Sequence, residues 1–240
     1  MEARGGSGIG SDRGTIAGAL AWILLVWWFV GQAIAQSAWT APYSWRNNFI
    51  SDLAAERCGR LAFPFVGYDQ FVCSPWRGVM DATFVSTGLL ILSGLFLIRG
   101  LWPQGRLATV GRVLVLVTGG GYVLLGFAPE DTQWAMHVLG VLSLACSPIA
   151  MLLFGLAIRT ERPRIAAASL ILATVTVTGF GLGRFVGLGF GGAERLGSYP
   201  FEIWAITIGQ VVLVNVMRRG QGTPTPAPEP VETFQRLPSA

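Results

Sequence analysis

Three short stretches of this chain bring side chains able to do acid–base or nucleophilic chemistry close together in sequence. The first, "NNFISDL" at residues 47–53, sets Asn48, Ser51 and Asp52 around two large apolar side chains. The second, "FAPEDTQWAMH" at 127–137, holds Asp131 and the single histidine, His137. The third, "GGAERL" at 191–196, holds Glu194 and Arg195. A serine, an acid and a histidine are the residue types of nucleophilic catalysis, in which a base takes the hydroxyl proton and an acid orients the base. No G-x-S-x-G elbow or phosphate-cradling Walker loop accompanies them. One imidazole falls short of the three protein ligands of a catalytic zinc site, and no H-E-x-x-H spacing occurs. Neither a metal nor a cofactor is expected.

The elements that must position these residues are helices in lipid. The chain has 240 residues, 52% hydrophobic and 12% charged, about half the charged fraction of a soluble domain. Six apolar runs, at 16–35, 79–98, 107–127, 134–158, 165–190 and 201–217, are each long enough to cross about 30 Å of hydrocarbon. The expected fold is all-α, a six-helix transmembrane bundle over 15–219. A glycine-rich tail (1–14) precedes it and a proline-rich tail (220–240) follows. The 17 basic residues are all arginine and form no patch, which argues against a nucleic-acid partner. Ten arginines fall on one side of the spans and five on the other, so the positive-inside rule places both termini in the cytoplasm of a cell membrane. Lysine-free, arginine-rich usage suggests a GC-rich bacterial source. The first run also has the small-x-small ending of a signal peptide, but at about 20 residues it exceeds a typical h-region of 7–15. Retention as a span is expected.

The one long connection, 36–77, is expected outside, and its many aromatic residues argue for a folded cap at the interface. Cys58 and Cys73 both lie in it. A bridge between them would close a loop of about 15 residues, worth roughly 3 kcal/mol; two unpaired thiols are the alternative. Pro148 should kink the fourth span, and Pro75 and Pro200 have the place of helix starts. Gly179, Gly183, Gly187 and Gly191 recur every four residues, a spacing that keeps them near one face of the fifth span. Such a face suits close helix packing within the chain or a homo-oligomer seam.

Counting from the ends of the runs puts Asp81, His137, Arg184 and Glu202 near the same outer boundary. Each has a local explanation. Asp81 can pair with Arg77 at i,i+4, Glu202 can serve a helix N-terminus, and Arg184 can reach outward to water. Isolated charges there cost about 2.5–3.5 kcal/mol each on insertion scales. Asp52, Asp81, His137, Arg184 and Glu194 are therefore expected to converge on one vestibule, with the Arg184 fork as hub.

The order and placement of the three stretches resemble the signatures of a prokaryotic six-helix membrane family, the domain of unknown function numbered 998. That family is distantly similar to the FGF-receptor-activating and DRAM-type membrane proteins, which also carry an Ile-Ser-Asp segment after the first helix. The resemblance covers roughly 16–217. It departs at Ala54, where the family favours glycine, and at the Ala128 between Phe127 and Pro129. It implies the fold and a membrane location, and it marks Asn48, Ser51, Asp52, Asp131, His137, Glu194 and Arg195 as motif positions. Three functions fit these residues. The first is a non-enzymatic protein binding a lipid headgroup or a partner protein. The second is a membrane-embedded hydrolase or transferase using Ser51, Asp52 and His137. The third is a proton-coupled transporter. Membrane lipids are the expected partners.

Overall fold

A computed structural model describes residues 8–183 and 185–221. Among the described residues, six helices are long and apolar enough to cross a membrane: Arg13–Ser37, Arg77–Leu97, Arg106–Leu125, Trp134–Ile158, Pro163–Leu182 and Gly189–Arg219. They are spans one to six below. The first helix itself begins at Gly8, inside the stretch expected as a tail, and the last runs to Gln221. The proline-rich tail lies outside the described residues.

Consecutive spans are antiparallel neighbours, joined by short connections except between spans one and two, and span six also packs on span one, so the helices close into a ring in chain order. Large aromatics fill the ring. Trp22 meets Trp102 and Trp204, while Trp28 meets Phe84 and Tyr122, with centroids 5.1–5.6 Å apart. Small residues make room for them. A Cβ at Gly94 would lie 1.9 Å from the Trp22 ring, so span two can approach span one only because it carries glycine there. The Trp22 indole donates to the Ile91 carbonyl at 3.0 Å, which satisfies its one polar atom within hydrocarbon.

Span four is broken at Ala145 into Trp134–Leu144 and Cys146–Ile158. Pro148 is the cause. It has no N–H for the Leu144 carbonyl, and its ring crowds that turn.

The boundary between spans five and six differs from the sequence expectation. Span five ends at Leu182 rather than continuing to 190. The chain turns at 183 and 185–188, with Gly187 at φ +86° and Gly189 at φ +71°, and span six starts at Gly189 rather than 201. Pro200 is accordingly inside a helix instead of beginning one. Hydropathy misses this turn because Phe185, Val186 and Leu188 carry the apolar run across it. The four spaced glycines do not share one face of span five. Gly179 and Gly183 pack against Leu196 and Ala193 of span six, while Gly187 and Gly191 lie beyond the end of span five.

The long connection folds as a cap. Strand β1 (Gly59–Phe63) pairs antiparallel with β2 (Tyr68–Val72) in the register Phe63↔Tyr68. A Cys58–Cys73 disulfide joins the open end of this hairpin. Phe63, Tyr68 and Val72 are buried, while Arg60 and Asp69 pair on the exposed face. A 3-10 turn, Ser51–Ala54, precedes the hairpin and lies wholly buried beneath it.

Candidate functional site

The polar residues of the three stretches meet under the cap, because the 43–52 segment docks on the start of span six. Gly191 and Gly192 donate to the Arg46 carbonyl at 2.9 and 3.3 Å. These are first-turn amides with no intrahelical acceptor. Arg195, one turn on, donates to the carbonyls of Trp45 (3.2 Å), Asn48 (3.0 Å) and Gly191 (2.9 Å) and to the Tyr43 hydroxyl (2.6 Å). Its guanidinium also lies 5.0 Å from the Trp45 ring centre. Glu194 accepts the Ile50 amide. Arg195 and Glu194 thus act first as clamps on backbone.

Asp52 is fully buried, and Asn48 Nδ2 (2.8 Å), the Phe49 amide (3.0 Å) and the Tyr68 hydroxyl (2.5 Å) all donate to it. Ser51 Oγ donates to Glu130 Oε2 at 2.6 Å. Asp52 and Glu130 are near enough in this buried site for each carboxyl to bear on the other's titration. Burial raises the pKa of both. The negative charge of Asp52 raises Glu130 further, and the donors around Asp52 work against its rise. Two carboxyls so placed hold one proton between them. Burial, and then the Asp52 carboxylate, also keep Tyr68 protonated as a donor.

His137 is buried 3.9 Å from the same Glu130 oxygen through Nε2, while Nδ1 sits 2.8 Å from the Ala128 carbonyl. A carbonyl can only accept, so Nδ1 carries the hydrogen and Nε2 presents its lone pair towards Glu130. The Ser51–Asp52–His137 triad is not assembled. Ser51 is held by Glu130, and Asp52 is turned towards the cap.

The remaining expected members separate. Asp131 accepts the amides of Glu56 (3.0 Å) and Arg57 (2.8 Å), pinning the cap to the connection between spans three and four. Asp81 is at the rim, 3.7 Å from Arg77. Glu202 is about three and a half turns into span six, fully buried, and receives the Tyr122 hydroxyl. Arg184, the expected hub, lies outside the described residues. Glu130, Tyr68 and Tyr122 were not anticipated. Glu130 stands beside Asp131 in the same motif, and the sequence alone does not say which of two adjacent acids turns inward.

Below the carboxyl pair, the break in span four leaves its cap-side half splayed from span five. The result is a cleft of about 320 Å³, within the range of small-ligand sites. Trp28, Phe84, Val141, Leu144, Pro148 and Phe180 make its walls apolar, while Ser51, His137, Glu194 and Ser198 add polar groups. The Ser198 hydroxyl is buried with no partner among the described residues. Ile149, Val177 and Phe180, also lining residues, are 49–60% exposed on the outer surface of the bundle, so the cleft opens sideways to where lipid would lie.

A pH dependence follows from the carboxyl pair. A carboxyl whose folded pKa is raised stabilises the fold below the ordinary carboxylate range, and that contribution is lost as pH rises through the raised value. The cap should therefore be tightest in acid and loosen as the shared proton leaves. Hydrogen exchange at the Phe49 and Ile50 amides, corrected for intrinsic rate, should accelerate with rising pH in the wild type and much less in Glu130→Gln.

Six apolar helices in a ring, with a disulfide-closed cap over a buried polar site at one rim, define a polytopic helical membrane protein. The chain belongs to the family described as "Protein of unknown function (DUF998)", whose model matches residues 15–211. All three motifs fall inside that match. No curated protein and no solved structure matches the chain.

Proposed function

We propose that this protein binds a membrane lipid, taking one acyl chain into the cleft between spans four and five and holding the polar end near Ser51, His137, Glu194 and Ser198. Both termini lie in the cytoplasm, so the lipid comes from the outer leaflet of the cell membrane. The observation that carries this reading is the cleft itself, apolar along its length and polar at one end, with its side towards lipid. The unpartnered Ser198 hydroxyl supports it, since a buried hydroxyl without an acceptor costs about 1–3 kcal/mol. The arginine asymmetry supports the orientation.

The test is native mass spectrometry of the detergent-purified protein. The wild type should retain lipid, and Ala145→Trp, which fills the mouth of the cleft, should reduce retention at least ten-fold. Val113→Trp, on an exposed face of span three outside the cleft, should leave it unchanged. Equal retention in all three contradicts the proposal.

A second reading, hydrolysis of a lipid ester or amide, draws on one observation. Ser51 lines the cleft and donates to Glu130, which can take its proton once the one shared with Asp52 has left. A serine-reactive fluorophosphonate that labels the wild type and not Ser51→Ala would favour it, and no labelling would dismiss it.

A further inference from the structure

A second cavity lies at the opposite end of the bundle, where span one begins and span six finishes. It measures about 370 Å³ between spans four, five and six and the connection between spans two and three. Its floor is aromatic. Phe154 stacks on Trp102 at 4.8 Å and on Trp204 at 5.7 Å. The Trp204 indole is already satisfied by Ser169 Oγ at 2.9 Å, so the floor asks nothing polar of an occupant. The rim is different in kind. Arg162, at the connection between spans four and five, and Arg219, at the end of span six, both line the cavity. Neither forms an ion pair among the described residues, although Glu161 is the chain neighbour of Arg162. Asn215, one turn inside Arg219, also lines the cavity, and its half-buried amide has no hydrogen-bond partner among the described residues.

We infer that this cavity holds an anionic phospholipid of the leaflet at that end, with the phosphate between Arg162 and Arg219 and one acyl chain on the Trp102–Phe154–Trp204 floor. Guanidinium forks match phosphate oxygens in pairs. Basic pockets between membrane helices are a recognised form of anionic headgroup site. Asn215 supplies a donor just below the phosphate, at the depth of a glycerol ester. Among the described residues, no acidic one lines the cavity to oppose an anion. An uncharged tail would explain the aromatic floor and leave the two arginines and the amide without a role. A free phosphate would explain the rim and leave the floor empty. The lipid accounts for both, and it is independent of the cleft on the cap side.

The experiment reads tryptophan quenching in the full chain, reconstituted into vesicles of phosphatidylcholine carrying a small fraction of chain-brominated lipid. Brominated phosphatidylglycerol should quench at several-fold lower mole fraction than brominated phosphatidylcholine. The Trp102→Phe/Trp204→Phe variant should lose most of that difference, which places the contact at this floor. Arg162→Gln/Arg219→Gln should weaken the phosphatidylglycerol response about twenty-five-fold, from about five-fold per arginine near a membrane surface. Arg99→Gln, at the same end but outside the cavity, should not change it. Equal quenching by both lipids would overturn the inference, as would an unchanged preference in the double arginine variant. Relief of quenching by millimolar inorganic phosphate would assign the rim to free anions and overturn the lipid.

Discussion

Asp52→Ala is expected to release the cap from the bundle and to destabilise the protein by roughly 3–5 kcal/mol. Three donors converge on this one carboxylate: Asn48 Nδ2, the Phe49 amide and the Tyr68 hydroxyl. Alanine leaves all three without an acceptor in a site closed to water, and each orphan costs about 1–3 kcal/mol. Partial recovery by inward movement of water sets the lower figure. Asp52→Asn keeps an acceptor for part of this set and can donate to Glu130, so it should cost about 1 kcal/mol. The check is thermal unfolding in detergent combined with limited proteolysis of the 55–76 segment. Asp52→Ala should be cut in the cap at temperatures where the wild type and Asp52→Asn resist. An alanine variant within 0.5 kcal/mol of wild type would remove Asp52 as the anchor.

The second large effect is expected from a single methyl group at Gly191. A Cβ there would lie 2.0 Å from the Asn48 carbonyl oxygen and 2.7 Å from that of Trp45. Both obstacles are backbone, so no side chain can swing aside. The 45–48 segment would have to lift, breaking the amide contacts to Arg46 and the Arg195 contacts to Trp45 and Asn48 together. Overpacking alone costs about 1–3 kcal/mol, and the lost hydrogen bonds add to it. Gly120→Ala, whose Cβ would meet nothing within 4 Å, should be tolerated. The expected outcome is that Gly191→Ala loses lipid retention and cap protection while keeping its helix content, and that Gly120→Ala keeps all three. Equal behaviour of the two variants would show that the docked segment is dispensable.

The membrane fold was legible because length and hydropathy specify a span almost completely, and Pro148 announced the break in span four through its missing donor. The turn between spans five and six was not legible. Phe185, Val186 and Leu188 carry the apolar run across it, and the information lies in the positive φ of Gly187 and Gly189. Misplacing that turn also misplaced Glu202, which joins Tyr122 inside the ring rather than the rim. The site was legible as three motifs at one end of the bundle, but their partnerships were not. Ser51 is held by Glu130 instead of being poised by His137, because a chain turn after Pro129 decides which acid faces inward. The cleft could not be read from sequence at all, since it is a space left between two helices and not a property of any residue.

The most direct test of lipid occupancy is to locate the lipid. Protein reconstituted with a phospholipid bearing a photoactivatable diazirine near its chain end should, after illumination and digestion, carry the label mainly on 141–149 and 176–181, the two walls of the cleft. That label should fall sharply in Ala145→Trp. Label spread evenly over the exposed faces of all six spans, and unaffected by Ala145→Trp, would contradict the account.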